Sequence, residues 1–109
     1  MNFMNIPNDD TGAVIKELIN MGITLNENID IDFFVAFELE DDGKSFMKDS
    51  LLIEFNLDLE FDEELECWTC FCSKNIVLNY NEIKKVEEQL NTIAQKYSGQ
   101  ADGFSANIN

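Results

Sequence analysis

The sequence predicts an α+β fold, a ferredoxin-like βαββαβ two-layer sandwich with an extra N-terminal helix. Two observations carry this. Apolar residues recur with period two over residues 29–39 and 57–73, between stretches where they recur every three or four residues. The resulting order is α-β-α-β-β-α-β, and everything after the first helix is the split βαβ arrangement. Right-handed crossovers then place the first and third strands side by side in the centre of a four-stranded antiparallel sheet, with the second and fourth at its edges. Two helices cover one sheet face. The other is left for solvent, for the extra helix or for a partner. At 109 residues, one domain spanning 1–109 is expected, since two cores would not fit.

Each element has its own signal. Asn8-Asp9-Asp10 after Pro7 supplies an N-cap and negative charge at the positive end of a helix dipole. Val14, Ile15, Leu18, Ile19 and Met21 follow at helical spacing, and Gly22 stops the helix. Ile31, Phe33, Val35, Phe37 and Leu39 share one face of a strand; Asp30, Asp32, Phe34, Ala36 and Glu38 share the other. Asp41-Asp42 can cap a second helix, in which Met47, Leu51 and Phe55 recur every four residues, supported by Phe46 and Leu52. Leu57, Leu59 and Phe61 alternate with Asp58, Glu60 and Asp62 in a second strand. Leu65 to Ser73, rich in Trp, Phe, Thr and Cys, reads as a third. Asn79 and Glu82 form a capping-box pattern ahead of the clearest stripe: Ile83, Val86, Leu90, Ile93, Ala94 and Tyr97, ended by Gly99. Ala101 to Ile108 is a short last strand, interrupted at Gly103.

The charge balance excludes several function classes. There are 22 acidic and 7 basic residues, a net charge of −15, and all the basic residues are Lys. Without Arg there is no planar fork for phosphate, and a field of this sign repels nucleic acid. The same field steers a basic protein surface inward. The absence of His removes Ser-His-Asp, Cys-His and His-bearing zinc chemistry. Met1 to Pro7 has no basic region and no long apolar run, so it does not read as a signal peptide, and no stretch reaches membrane-spanning length. Three cysteines without a secretory context read as reduced thiols in a cytoplasm.

The turn between the second and third strands sets which side of the third faces inward. A three-residue loop, 62–64, pairs Phe61 with Leu65 and puts Leu65, Cys67, Thr69 and Phe71 on the core face. A two- or four-residue loop would put Glu66 there, which is costly for an unpaired carboxylate. Trp68, Cys70 and Cys72 are therefore expected on the second face, level with Phe34, Ala36, Asp58 and Glu60.

Three constellations are candidates for chemistry. Cys67-x-x-Cys70-x-Cys72 lies within a strand, so Cys67 and Cys70 point to opposite faces, and zinc would lack a fourth ligand; the thiols read as small core hydrophobes. Glu38-x-Glu40-x-Asp42-Gly43 with Asp49 brushes against a calcium-loop pattern. It has Glu at the first position, Ser45 where an apolar residue belongs and Asp49 at the last, so it reads as a solvated turn capping a helix. No metal and no cofactor are expected. The third is Asp58, Glu60, Asp62, Glu63, Glu64 and Glu66. Such a run protects an exposed edge strand from aggregation, and it equally forms a docking surface for Lys/Arg-rich protein. Paired carboxylates also occur in glycosidases, but that chemistry needs a cleft, and the fold offers none.

Asp9-Asp10-Thr11-Gly12 through Leu18, Gly22 and the Asp32-Phe33-Phe34 strand resembles the start of a regulator of ribonuclease E activity B (RraB) domain. Ala94, Tyr97, Gly99 and Ala101-Asp102-Gly103-Phe104 resemble that family's ending, a helix running through Ala and Tyr into a Gly, then an Asp-Gly-aromatic strand. The resemblance covers about residues 8–105. It implies a small acidic αβ domain that binds ribonuclease E and inhibits it. Ala101 stands where an aromatic commonly precedes the Asp-Gly pair, and the chain ends at Asn109 without the long acidic extension of the best-known members.

The reading is a cytoplasmic, non-enzymatic RraB-type regulator that contacts a basic protein surface, a ribonuclease being the implied partner. It makes no direct contact with nucleic acid or membrane. The partner-binding candidates are Phe34, Asp58, Glu60, Asp62, Glu63, Glu64 and Trp68. An immunity- or antitoxin-type inhibitor of a basic toxin nuclease is the alternative.

Overall fold

In the computed structural model, which describes residues 6–106, the first helix starts where a carboxylate can cap it. The Gly12 amide donates to the Asp9 side chain at 2.8 Å, opening α1, Asp10–Asn20. Strand β1, Asn28–Phe37, buries every second residue: Ile31, Phe33, Val35 and Phe37 are inside, with Asp32, Phe34 and Ala36 half-buried between them. Helix α2 is Glu40–Met47, β2 is Asn56–Asp62, β3 is Cys67–Val77, α3 is Tyr80–Gln95 and β4 is Gln100–Ala106. All strand pairs are antiparallel, in the order β2-β3-β1-β4, so the first and third strands are central as the period pattern implies.

The helical face of the sheet carries the core. Ile83, Val86, Leu90 and Ile93 of α3 are buried in one cluster with Phe33, Val35 and Phe37. Helix α1 joins this layer. Its Ile15 and Leu18 belong to the same cluster, and it packs on α3 and β4. Two polar contacts fix it there: Thr11 Oγ1 donates to Glu87 at 2.6 Å, and the Tyr80 hydroxyl donates to Asp9 at 2.5 Å. The Tyr80 bond holds the Asp9 carboxyl below its ordinary range, and Asp9 in turn pushes the Tyr80 phenol up to about 12. The extra helix therefore does not occupy the second sheet face.

Four expectations need correction. Strand β1 stops at Phe37, and Leu39 is the N-cap of α2 without a side-chain bond, so Asp41 and Asp42 lie inside the first turn and serve its dipole rather than its cap. The second helix does not run to Phe55. It ends at Met47, and Asp49 accepts the Leu51 amide at 2.9 Å to open a short 3-10 turn at Ser50–Leu52, leaving Leu51 exposed and Leu52 buried. Strand β3 begins two residues later than expected and extends to Val77, because residues 74–77 pair with 28–31 of β1. Its inward face is also the opposite one. Cys67 pairs with Asp62 and Trp68 with Phe61, so the connection has four residues. Cys70 and Cys72 are fully buried, and Cys67, Thr69 and Phe71 face the other way. The feared core glutamate does not arise, because Glu66 sits in the turn with φ 53 and is exposed.

The left-handed residue that ends α3 is Ser98, at φ 61, and not the expected Gly99. Gly99 makes room: a Cβ there would lie 2.3 Å from Cε1 of Phe37. Phe37 is itself held against Phe46, with ring centroids 5.1 Å apart, and cannot retreat freely. Gly99→Ala is expected to cost about 1–3 kcal/mol by overpacking, read as a lowered urea midpoint. Gly103, at φ 102, sits where β4 slips against β1: Phe33 faces Phe104 but Val35 faces Ala101. It makes a bulge within the strand rather than an end to it. Of the expected last strand, residues 107 and 108 lie outside the described residues.

Candidate partner-binding surface

Three rows of side chains cross the uncovered sheet face. Ala36, Thr69 and Glu60 form one, Phe34, Phe71 and Asp58 the next, and Asp32, Ser73 and Asn56 the third. Period-two alternation in all three strands sends these residues away from the helices. Phe34 and Phe71 meet edge to face, with centroids 5.5 Å apart. In the last row, Ser73 donates to Asp32 at 2.5 Å. On the β2 side, Asp58 and Glu60 are exposed.

The hairpin that follows β2 is built by Asp62. Its carboxylate accepts the amides of Glu64 at 2.9 Å and Leu65 at 3.1 Å, an Asx-type turn that also explains the longer loop. Glu63 and Glu64 are exposed at its tip. A depression of about 470 Å³ beside it is lined by Glu60, Phe61, Asp62, Glu63, Glu64, Thr69 and Phe71, four carboxylates against no basic group. Leu65, 64% exposed, continues the apolar surface at the hairpin.

The sequence-derived candidates therefore divide. Phe34, Asp58 and Glu60 share the open face, and Asp62, Glu63 and Glu64 form the adjoining turn. Trp68 is not with them. It is half-buried on the helical side against Phe61, with centroids 5.3 Å apart. The aromatic beside Phe34 is Phe71, which a three-residue hairpin loop would put in the core. The signal that could have found it is Asp62, since an Asp able to cap two following amides favours the longer hairpin.

The other constellations resolve into structure. The three cysteines are free. Cys72 Sγ lies 3.9 Å from Cys70 Sγ, and this hydrogen bond together with burial pushes the Cys72 thiol up. Cys67, half-buried on the open face, should react with a thiol reagent under native conditions. Cys70 and Cys72 should react only on unfolding, as a mass count of added labels with and without denaturant would show. Asp49, the last position of the calcium-like pattern, accepts from Leu51 and from the Tyr97 hydroxyl at 2.7 Å. No group of three or more metal-ligating side chains converges among the described residues. Nor is any helix among them long and apolar enough to cross a membrane.

A family model described as "Regulator of ribonuclease activity B" matches residues 8–106, nearly the whole length. The chain belongs to the RraB family. None of the curated proteins compared with it matches. The RraB match spans every element from α1 to β4, so the acidic hairpin and the open sheet face are parts of the family domain itself. The family's description names a regulator of ribonuclease activity.

Proposed function

We propose that this RraB-family chain is a cytoplasmic, single-domain, non-enzymatic inhibitor of a ribonuclease of the ribonuclease E type, and that it docks a basic surface of that enzyme on β2 and its hairpin. The observation that supports this best is the placement of Asp58, Glu60, Asp62, Glu63 and Glu64 along one sheet edge and its turn, beside the Phe34–Phe71 pair. Charge gives steering, and the aromatic pair gives an apolar anchor that charge alone lacks. The same carboxylates repel RNA, which separates this face from sheet aromatics that stack bases, where basic neighbours hold the phosphates.

The experiment is capture of the ribonuclease from native lysate on the immobilised chain, followed by binding kinetics at two salt concentrations. Exposed charges are screened beyond about 8 Å at physiological salt. Raising salt should therefore slow association more than it speeds dissociation. A captured ribonuclease whose association rate is independent of salt would contradict the docking surface. Failure of any ribonuclease to bind would contradict the function.

A further inference from the structure

The two sheet edges are built differently. Strand β4 is bulged at Gly103 and flanked by α1, two devices that blunt an edge. Strand β2 has no bulge, and α2 meets it from the helical face of the sheet, where Gly43 lies against the Leu59 side chain. The strand's seven residues pair with β3 in unbroken register from Asn56 to Asp62, with β3 as its one strand neighbour among the described residues. Its outer side thus presents a straight row of backbone donors and acceptors, the template onto which another strand adds.

The side chains of β2 select what can add. Asp58, Glu60 and Asp62 recur at every second residue on the open face, about 6.8 Å apart at ordinary strand rise. That is also the spacing of alternate side chains on an added strand. A second copy of this chain is disfavoured, because antiparallel β2–β2 pairing would bring the two carboxylate rows together. A strand with Lys or Arg at alternate positions meets the row with opposite charge, while its other face lies beside Leu57, Leu59 and the 48%-exposed Phe61.

Resting on the docking reading above, we propose that the ribonuclease segment bound by this chain is an extended basic strand, with Lys or Arg at alternate positions, that adds to the outer edge of β2 as a fifth strand of the sheet.

The test uses three synthetic nine-residue peptides alternating Lys and Thr: one unmodified, one N-methylated at the Thr amides and one N-methylated at the interior Lys amides. In an added strand, alternate amides point to β2 and to solvent, so only one methylated series should lose backbone bonds. The expected result is that the unmodified peptide protects alternate β2 amides between Asn56 and Asp62 from hydrogen exchange. One methylated series should bind at least tenfold more weakly than the other. Equal binding of the two series would overturn strand addition, and salt-sensitive binding that persists in both would leave the acidic docking surface standing. Unchanged β2 amide exchange in the complex with the captured ribonuclease would overturn strand addition in the same way. Loss of ribonuclease binding altogether would instead remove the functional reading. A concentration-dependent dimer of the chain that the peptide dissociates would assign the edge to self-association and overturn the proposal.

Discussion

Reversing Asp58, Glu60, Glu63 and Glu64 to lysine is expected to slow association with the ribonuclease by about tenfold or more at low salt, with the denaturation midpoint nearly unchanged. The four side chains are exposed, so reversing them alters the field without opening the core. Asp62 is deliberately left in place. It accepts two hairpin amides, and its replacement by lysine would loosen the turn and confound a binding loss with a structural one. The effect should shrink as salt rises, because the field is screened over about 8 Å at physiological ionic strength. Stopped-flow association with the captured enzyme checks this. An unchanged rate would reduce the acidic run to edge protection alone.

Leu90→Ala is expected to destabilise the fold by about 2–5 kcal/mol, the transfer cost of the lost methyl groups plus the cavity left behind. Leu90 is 1% exposed and packs in the cluster that joins α3 to β1. A urea titration giving less than about 1 kcal/mol would mean that the site collapses without penalty or that the α3 stripe does not face the sheet. Binding should survive in the folded fraction, since Leu90 is on the side of the sheet opposite Phe34 and Phe71. The two substitutions thus separate stability from recognition.

How much of this was legible in the sequence depends on whether a residue's role is set by periodicity or by a turn. The α3 stripe and the alternation of β1 repeat over three or more turns or pairs, so their buried faces were readable residue by residue. Strand order followed from connection handedness. The face of β3 was not readable in this way, because a one-residue change in the hairpin inverts every side chain beyond it. A glutamate at position 66 is costly in the core only if Glu66 belongs to the strand. With φ 53 it belongs to the turn, and its carboxylate reaches solvent from there. That single difference moved Trp68, Cys70 and Cys72 inward and Phe71 outward.

The candidate surface shows the same division. The position of the β2 carboxylates on the sheet follows from the clean alternation of β2, and that of the hairpin acids from their place at its end. The aromatic partner of Phe34 was missed because it lies across the misread turn. The second helix was overextended for a related reason. Met47, Leu51 and Phe55 match a helical period, but Asp49 caps a new turn and takes the Tyr97 hydroxyl, so the chain changes direction there.

The most direct test is the cleavage rate of the captured ribonuclease on a fixed RNA substrate, titrated with this chain and with the variant carrying lysine at positions 58, 60, 63 and 64. The wild-type chain should lower the rate in a saturable manner without itself cleaving or binding the RNA. The variant should need at least tenfold more protein for the same effect. A rate unaffected by saturating wild-type chain, or equal inhibition by the variant, would contradict the proposed function.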